Sequence, residues 1–170
     1  MKHYFWVKPE YLGDNRIEIY APYDGYVAVT RRDEAEGLEG EIWIAPDDAF
    51  VMLPPMGRWM FSVQHIDIRE GLKRGSKVKA GERIGYGAVS AENRATFDIV
   101  YGKGAFVPKM IDNWNGPFAD LDSVFNQMSA DVFAKYQAKG LASKEDFIIS
   151  REERDKNPCT YKDNGPYFIG

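Results

Sequence analysis

Apolar and polar residues alternate in short runs through the first half of the chain, a pattern that predicts β-strands rather than helices. Ile17 and Ile19 alternate with polar neighbours, and Val27 and Val29 do the same after a turn. The charged segment 31–41 predicts a solvated loop between strands. We predict further strands over residues 41–45, 49–53, 59–65 and 94–100.

Glycines punctuate residues 65–86, the segment around which the other predicted strands are arranged. Gly71, Gly75 and Gly81 separate short apolar runs, and glycine readily adopts the positive φ angles that tight turns require. A second turn unit covers residues 21–27, where a proline and an Asp-Gly pair favour a reversal of the chain. We predict that these two units form the two ends of one small barrel.

The pattern changes after Gly104. Residues 108–117 are rich in turn formers, but their acidic residues lack the spacing of a calcium-binding loop. From residue 120 onward the apolar positions recur at helical spacing. The positions that carry this spacing are Leu121, Val124, Phe125, Met128, Val132, Phe133 and Tyr136.

Capping signals divide the C-terminal part into two or three short helices. Ser129, Ser143 and Ser150 fit helix N-caps, and Gly140 fits a helix end. We therefore predict two units: a β-barrel over residues 1–104, and a helical extension and tail over residues 105–170. We expect the extension to pack on the barrel through Phe125, Phe133 and Phe147, and it also offers a surface for an oligomer.

Composition narrows the class of protein. The 170 residues are 44% hydrophobic and 28% charged, which is ordinary for a soluble globular chain. A net charge of −4 argues against a nucleic-acid partner, since phosphate-binding surfaces need an excess of lysine and arginine. We expect no transmembrane segment and no cofactor. Cys159 is the single cysteine, so an internal disulfide and a cysteine-only zinc site are excluded.

Two motifs resemble a known family. The pairing of APxDGxV at residues 21–27 with HxxxxxGLxxGxxVxxGExIGY at residues 65–86 resembles the lysostaphin-type zinc endopeptidases, which cut peptide cross-links in bacterial cell walls. The resemblance covers residues 18–103 and implies a mainly β fold, a barrel or sandwich built on a duplicated hybrid motif. It also implies export or a place in the cell envelope, although residues 1–6 lack the features of a secretory signal.

The zinc ligands of that family do not have counterparts here. The family carries HLHFEV on its last site strand, and aligning its phenylalanine with Phe97 places Arg94 and Thr96 where the two histidines stand. The family's HxxxD motif is also missing ahead of residue 21. A catalytic zinc needs three protein ligands and an open position for water. We therefore predict a peptidase-like barrel without a metal and without hydrolysis.

The resemblance implies that a binding groove survives on the face where the peptidases hold their substrate. We expect a non-catalytic binding or structural module for a cell-wall or extracellular polymer, or for a protein partner. Both tryptophans in the predicted groove could instead fill the core. The predicted groove residues are His65, Arg94, Thr96, Asp98, Trp43 and Trp59.

Two enzymatic alternatives remain open. His65 can act as a general base near neutral pH, so a divergent hydrolase using His65 with Asp67 or Asp98 is one of them. The strand at residues 63–68 is also similar to the HFGIDT strand of sugar phosphotransferase components, which would make His65 a phosphoryl acceptor. That reaction uses a second histidine beside the first, and His3 is the other histidine of the chain.

Overall fold

The computed structural model describes residues 2–13, 16–33, 38–48, 57–89, 96–111, 114–138, 140–156, 160–161 and 168–169. Within them the fold is mainly β, with short helices toward the C-terminal end, which confirms the predicted fold class. The strands are β1 (Lys2–Trp6), β2 (Glu18–Tyr20), β3 (Gly25–Asp33), β4 (Leu38–Ala45), β5 (Trp59–Ile68), β6 (Lys77–Val78), β7 (Arg83–Gly87), β8 (Thr96–Ile111), β9 (Trp114–Asp122), β10 (Thr160–Tyr161) and β11 (Phe168–Ile169). The helices are α1 (Ala130–Gln137) and α2 (Arg151–Lys156), with 3-10 turns at Pro9–Tyr11, Val124–Asn126 and Lys144–Asp146.

Strands β1 to β9 form one antiparallel sheet. Their order is β1-β8-β5-β4-β3-β6, while β7 pairs with β2 and β5, and β9 pairs with β8. β5 lies in the middle and is paired in turn with β4, β7 and β8. It therefore connects the motif of residues 21–27 with that of residues 65–86.

The two turn units, predicted as the two ends of one barrel, are in direct contact. Gly71, Gly75 and Gly81 have φ angles of 81°, 89° and 75°, the left-handed region that favours glycine. The Asp24 carboxylate accepts hydrogen bonds from the backbone N–H of Ala80 at 2.9 Å and from a lysine ammonium at 2.9 Å. The Asp-Gly turn of one unit thus fixes the hairpin of the other.

The main hydrophobic core lies on one side of the sheet, here called the inner face. Inner-face side chains such as Phe61, Val63 and Ile99 pack against the segment that follows β9, including Phe125 and Phe133. Phe147 is partly buried against the same cluster. These three phenylalanines thus connect the C-terminal segment to the core of the sheet.

The opposite side of the sheet is called the outer face. It carries a small apolar cluster of Ala28, Trp43, Ala45, Met60 and Val100. Alternate residues of each strand point to opposite faces, so the polar residues that lie between the inner-face apolar residues surround this cluster. The outer face is therefore where polar chemistry concentrates.

The charged segment 31–41 is not a loop throughout. β3 continues to Asp33 and β4 begins at Leu38, and Arg31 pairs with Glu41 across the hairpin. The loop prediction was wrong for these flanking residues because charges directly opposite each other can stabilise exposed strands. Residues 34–37 lie outside the described residues.

β8 runs without interruption past Gly104, the predicted boundary. Residues 108–111 and 114–117, predicted as turns, belong to the β8–β9 hairpin. The helix predicted from residue 120 is also wrong at its start, because β9 continues to Asp122 and a 3-10 turn follows. The division into two units remains a prediction.

The predicted helix signals are confirmed. Ser129 is the N-cap of α1 and its Oγ accepts a hydrogen bond from the Val132 N–H at 3.4 Å. The Ser143 N–H donates to Asp146 at 2.8 Å, and Ser150 Oγ accepts from the N–H of residue 153 at 3.0 Å. Gly140 has a φ of 98° just after α1.

Two predicted strand segments fall partly or wholly outside the described residues. These are residues 49–53 and residues 94–95 ahead of β8. None of the helices in the described part combines the length and apolar character that a bilayer crossing requires.

Candidate functional site

His65 lies at the point where β5 changes its pairing partner. β5 pairs with β8 as far as Gln64, which stands opposite Asp98, and pairs with β7 from Ile66 onward. The register between β4 and β5 also shifts here, so His65 is the extra residue of a β-bulge. Its φ is 62°, a left-handed conformation that is costly for residues other than glycine and is often found at functional sites.

The bulge places two consecutive side chains on the outer face. Gln64 faces outward by strand alternation, and His65 approaches the outer-face residue Asp98, with 3.6 Å between His65 Nε2 and Asp98 Oδ2. Ile66 then returns to the inner face and is fully buried. The strained residue therefore adds an imidazole to the outer face without disturbing the core.

Asp98 is the centre of this site. Its Oδ2 lies 3.1 Å from Lys2 Nζ, and Lys2 Nζ donates a hydrogen bond to Gln64 Oε1 at 3.3 Å. The carboxylate is buried, and its Oδ1 has no hydrogen-bond partner among the residues that the structure describes. A buried polar atom without a partner costs free energy, so Asp98 retains an unused acceptor.

Glu41 extends the polar contacts across the sheet. Its Oε1 accepts hydrogen bonds from Trp43 Nε1 at 2.5 Å, Ser62 Oγ at 3.1 Å and Gln64 Nε2 at 3.1 Å. Its Oε2 accepts from Arg31 Nη1 at 3.3 Å. The residues linked in this way, here called the outer-face network, are Lys2, Arg31, Glu41, Trp43, Ser62, Gln64, His65 and Asp98.

Two aromatic side chains of β1 stand exposed beside this network. Tyr4 is opposite Asp98 and Trp6 is opposite Thr96 in the pairing of β1 with β8, so they share the outer face. Their exposed fractions are 61% and 80%. The Lys2 ammonium lies 4.7 Å from the centre of the Tyr4 ring, a cation–π contact that joins the aromatic pair to the network.

The described residues do not fit a catalytic zinc. No group of three or more histidine, cysteine, aspartate or glutamate side chains in the described ranges is arranged to hold a metal ion. Thr96 provides a hydroxyl where the resemblance places an imidazole, and Asp98 already pairs with the Lys2 ammonium. A positive side chain thus lies beside this buried carboxylate, and the described residues do not form the tetrahedral ligand set that zinc requires.

The structure brings together part of the predicted groove. His65 and Asp98 are in contact, and Thr96 lies on the same face two residues along β8. Arg94 lies outside the described residues. Asp67, the other carboxylate considered for His65, stands opposite Tyr86 on β7, beyond the bulge.

The two tryptophans do not form part of an exposed groove. Trp43 is on the outer face but only 7% exposed, packed in the small apolar cluster. Trp59 lies on the inner face, partly buried against the main core, with its ring stacked on Tyr101 at 5.2 Å. Both therefore serve packing, which was the other interpretation of the sequence.

His3 lies on the inner face, away from the network. Its Nε2 is 3.0 Å from Ser123 Oγ, and its ring meets the edge of Phe125 at 5.1 Å. Burial lowers the pKa of His3 from 6.5 to about 4, so the ring is neutral near pH 7. His3 and His65 therefore lie on opposite faces of the sheet.

The contribution of β1 to the site was not predicted from the sequence. Lys2, Tyr4 and Trp6 alternate with His3 and Phe5, an aromatic-rich pattern typical of a strand. That alternation was a usable signal for the strand. Its partner β8, however, is distant in sequence, so the position of these side chains beside Asp98 was not predictable.

No family model and no curated protein matches the sequence. Among solved structures, LytU, a lysostaphin-type peptidase, shows 22% identity and a TM-score of 0.41, covering 65% of this chain and 66% of its own. Csd3 of Helicobacter pylori, a LytM-like peptidase, shows 18% identity and a TM-score of 0.37, covering 83% of this chain and 34% of its own. The chain thus spans about two thirds of LytU and about a third of Csd3.

Proposed function

We propose that the outer face binds an extended polymer of the bacterial cell wall and holds it without cutting it. The observation that carries this proposal is the pair of exposed aromatic rings, Tyr4 and Trp6, beside the buried carboxylate of Asp98. Isolated exposed apolar residues are common, but two neighbouring rings next to polar groups are typical of a binding surface. The motifs at residues 21–27 and 65–86 resemble those of proteins that act on such polymers.

The chemistry of the site suits a neutral or weakly polar ligand. Aromatic rings offer flat apolar area for a sugar ring or a peptide side chain. Asp98 Oδ1 is an unused acceptor for a ligand hydroxyl or amide, and His65 offers a second hydrogen-bonding group. Ligand sites in proteins usually combine an aromatic surface with a small number of polar groups.

Co-sedimentation of the protein with purified peptidoglycan sacculi tests the proposal. We expect the wild type to be retained, and Trp6→Ala and Tyr4→Ala each to weaken retention about fivefold or more. Ile149→Ala is the matched control, because Ile149 is 60% exposed and lies in the C-terminal segment. Lack of retention of the wild type, or unchanged retention of both β1 variants, would overturn the proposal.

One observation favours a second candidate, a hydrolase. His65 Nε2 lies 3.6 Å from Asp98 Oδ2, an arrangement in which a carboxylate orients an imidazole that acts as a general base toward water. The test is release of soluble fragments from the same sacculi by the wild type and by His65→Gln. Release by the wild type that disappears in His65→Gln would favour the hydrolase over the binding module.

A further inference from the structure

A large apolar cavity lies on the inner side of the sheet, between it and helix α1. Its volume is about 630 Å³, within the usual range of small-molecule sites. The sheet contributes Phe5, Phe61, Phe97 and Ile99, and α1 contributes Val132 among others. The cavity is therefore separate from the outer-face network.

The walls of this cavity favour an apolar occupant. Phe5 and Phe97 are stacked at 4.9 Å and only partly buried, although they belong to the inner face. Ile99 and Val132 are buried members of the main core that also line the cavity. Water in such a space would find few hydrogen-bond partners, whereas an apolar chain would gain contacts with every wall.

The opening of the cavity carries charge. Its solvent-exposed lining residues are Glu18, Tyr20, Lys135 and Ala138. The Glu18 carboxylate is compensated, because it accepts hydrogen bonds from the Tyr20 hydroxyl at 2.5 Å and from Arg83 Nη1 at 3.1 Å.

Lys135 is the other charged residue that lines the opening. Its ammonium lies 5.1 Å from the centre of the Tyr20 ring, and no carboxylate in the described ranges forms an ion pair with it. Among the described lining residues, the opening therefore presents the Lys135 ammonium next to the apolar space.

We propose that this cavity binds a single-chain amphiphile, with the acyl chain inside and an anionic head group on Lys135. The apolar volume of the cavity suits the acyl chain of the ligand, since each methylene removed from water adds to the affinity. The Lys135 ammonium, which has no ion-pair partner among the described residues, accounts for the sign of the head group. A free fatty acid and an acyl chain bearing a phosphate head group share this chemistry.

Titration calorimetry of the full chain tests the proposal, with probes kept below the concentration at which they form micelles. We expect dodecanoate to bind one molecule per chain, about tenfold more tightly than the dodecyltrimethylammonium cation. Lauroyl lysophosphatidylglycerol is the second anionic probe. Binding of dodecanoate alone identifies a fatty acid site, binding of the lysolipid identifies a lipid-derived source, and binding of neither overturns the proposal.

Three variants locate the binding. Lys135→Glu is expected to weaken dodecanoate about tenfold and to remove the preference over the cationic probe. Lys73→Glu is the matched control, because Lys73 is an exposed lysine in the Gly71–Gly75 turn region. Ala138→Trp, at an exposed position of the opening, is expected to block entry without a large loss of stability.

Unchanged dodecanoate affinity in both Lys135→Glu and Ala138→Trp would place the binding elsewhere and overturn the proposal. Thermal unfolding of each variant without ligand shows whether it is folded. If Ala138→Trp does not fold, Val132→Phe, which fills the cavity from α1, replaces it. Retention on sacculi by the outer face is expected to be the same for all of these variants, so the two proposals fail or succeed independently.

Discussion

Gly85 is a residue at which the fold has no room for a side chain. A Cβ atom added there would lie 2.3 Å from the Asp67 carbonyl oxygen and 2.9 Å from Ile66. The Asp67 carbonyl is part of the backbone of β5 and cannot shift without a large cost in free energy, so the substitution must displace β7 from β5. Gly87 on the same strand is different, since its nearest neighbours would be 3.5 Å away, an ordinary contact.

We therefore predict that Gly85→Ala lowers the free energy of unfolding by about 2–3 kcal/mol, as overpacking does. Gly87→Ala is the matched control and is expected to change it by less than about 1 kcal/mol, because alanine also restricts the unfolded chain. Urea denaturation of the two variants measures the difference. Equal destabilisation would show that the contact with the Asp67 carbonyl is not what excludes alanine.

His3 makes stability depend on pH. Burial lowers its pKa from 6.5 to about 4, so between these values the unfolded state binds a proton that the folded state does not. The contribution of neutral His3 to the free energy of unfolding is therefore fully present above pH 6.5 and is lost as the pH falls toward 4. Because the ring is only partly buried, we expect a loss of roughly 1–2 kcal/mol rather than the full value of the shift.

His3→Gln removes this titration while keeping a group that can hydrogen-bond to Ser123. We expect the difference in unfolding free energy between wild type and His3→Gln to fall as the pH is lowered through this range. Urea denaturation at several pH values measures it. A constant difference would show that His3 is not buried as a neutral ring.

At the residue scale, the sequence predicted His65 and Asp98 through a family resemblance, whereas physical pattern alone did not single them out. Lys2 was not predicted, because the ion pair depends on β1 pairing with a strand more than ninety residues away in sequence. Trp43 and Trp59 illustrate the same difficulty, since large aromatic residues on strands are equally suited to a groove and to a core.

Among the strands, β4 and β5 are joined by a side chain as well as by their ladder. The Tyr23 hydroxyl donates to the Ile44 carbonyl at 2.8 Å and accepts from the Phe61 N–H at 3.1 Å. Burial raises the pKa of Tyr23, so this hydroxyl remains protonated and can donate at neutral pH. The contact ties the motif at residues 21–27 to the centre of the sheet.

Tyr23→Phe removes both hydrogen bonds and is expected to destabilise the protein by about 2 kcal/mol, the cost of leaving buried partners unsatisfied. Tyr20→Phe is the control, because the Tyr20 hydroxyl bonds to Glu18 in an exposed position. It should change stability by no more than about 0.5 kcal/mol. Thermal unfolding distinguishes the two, and a similar small effect in both would mean that the bridge contributes little.

Strands whose apolar and polar residues alternate could be predicted from the sequence. Strands that form only because they pair with a strand far away in sequence could not. β2, β3 and β5 show apolar alternation and turn signals nearby in sequence. β9 does not, because its Gly116 and Pro117 are typical of turns and its last residues fit helical spacing. Pairing with β8 decides its structure, and that contact is not encoded in the periodicity of the segment itself.

For the whole molecule, the core of the sheet is completed by the chain after β9. Phe125 and Val124 are fully buried there, and Met128, Val132 and Phe133 are nearly so. Without them the inner face would expose a large apolar surface. The sheet and the C-terminal helices are therefore expected to unfold together.

A chain ending at Asp122 tests this expectation. We predict that it loses cooperative thermal unfolding and binds a hydrophobic dye, because the inner face becomes exposed. Phe125→Ala in the full chain is the milder companion and is expected to cost about 3–5 kcal/mol. A cooperative transition of the shortened chain near that of the full chain would instead show that residues 2–122 form an independent unit.

The balance of charge on the outer face has a kinetic consequence. Lys2 is paired with Asp98 at 3.1 Å and Arg31 with Glu41 at 3.3 Å, so the network as a whole projects little electric field into the solvent. A ligand approaching this face would be neither attracted nor repelled over long distances. Its arrival would depend on diffusion and contact alone, and the association rate would hardly respond to ionic strength.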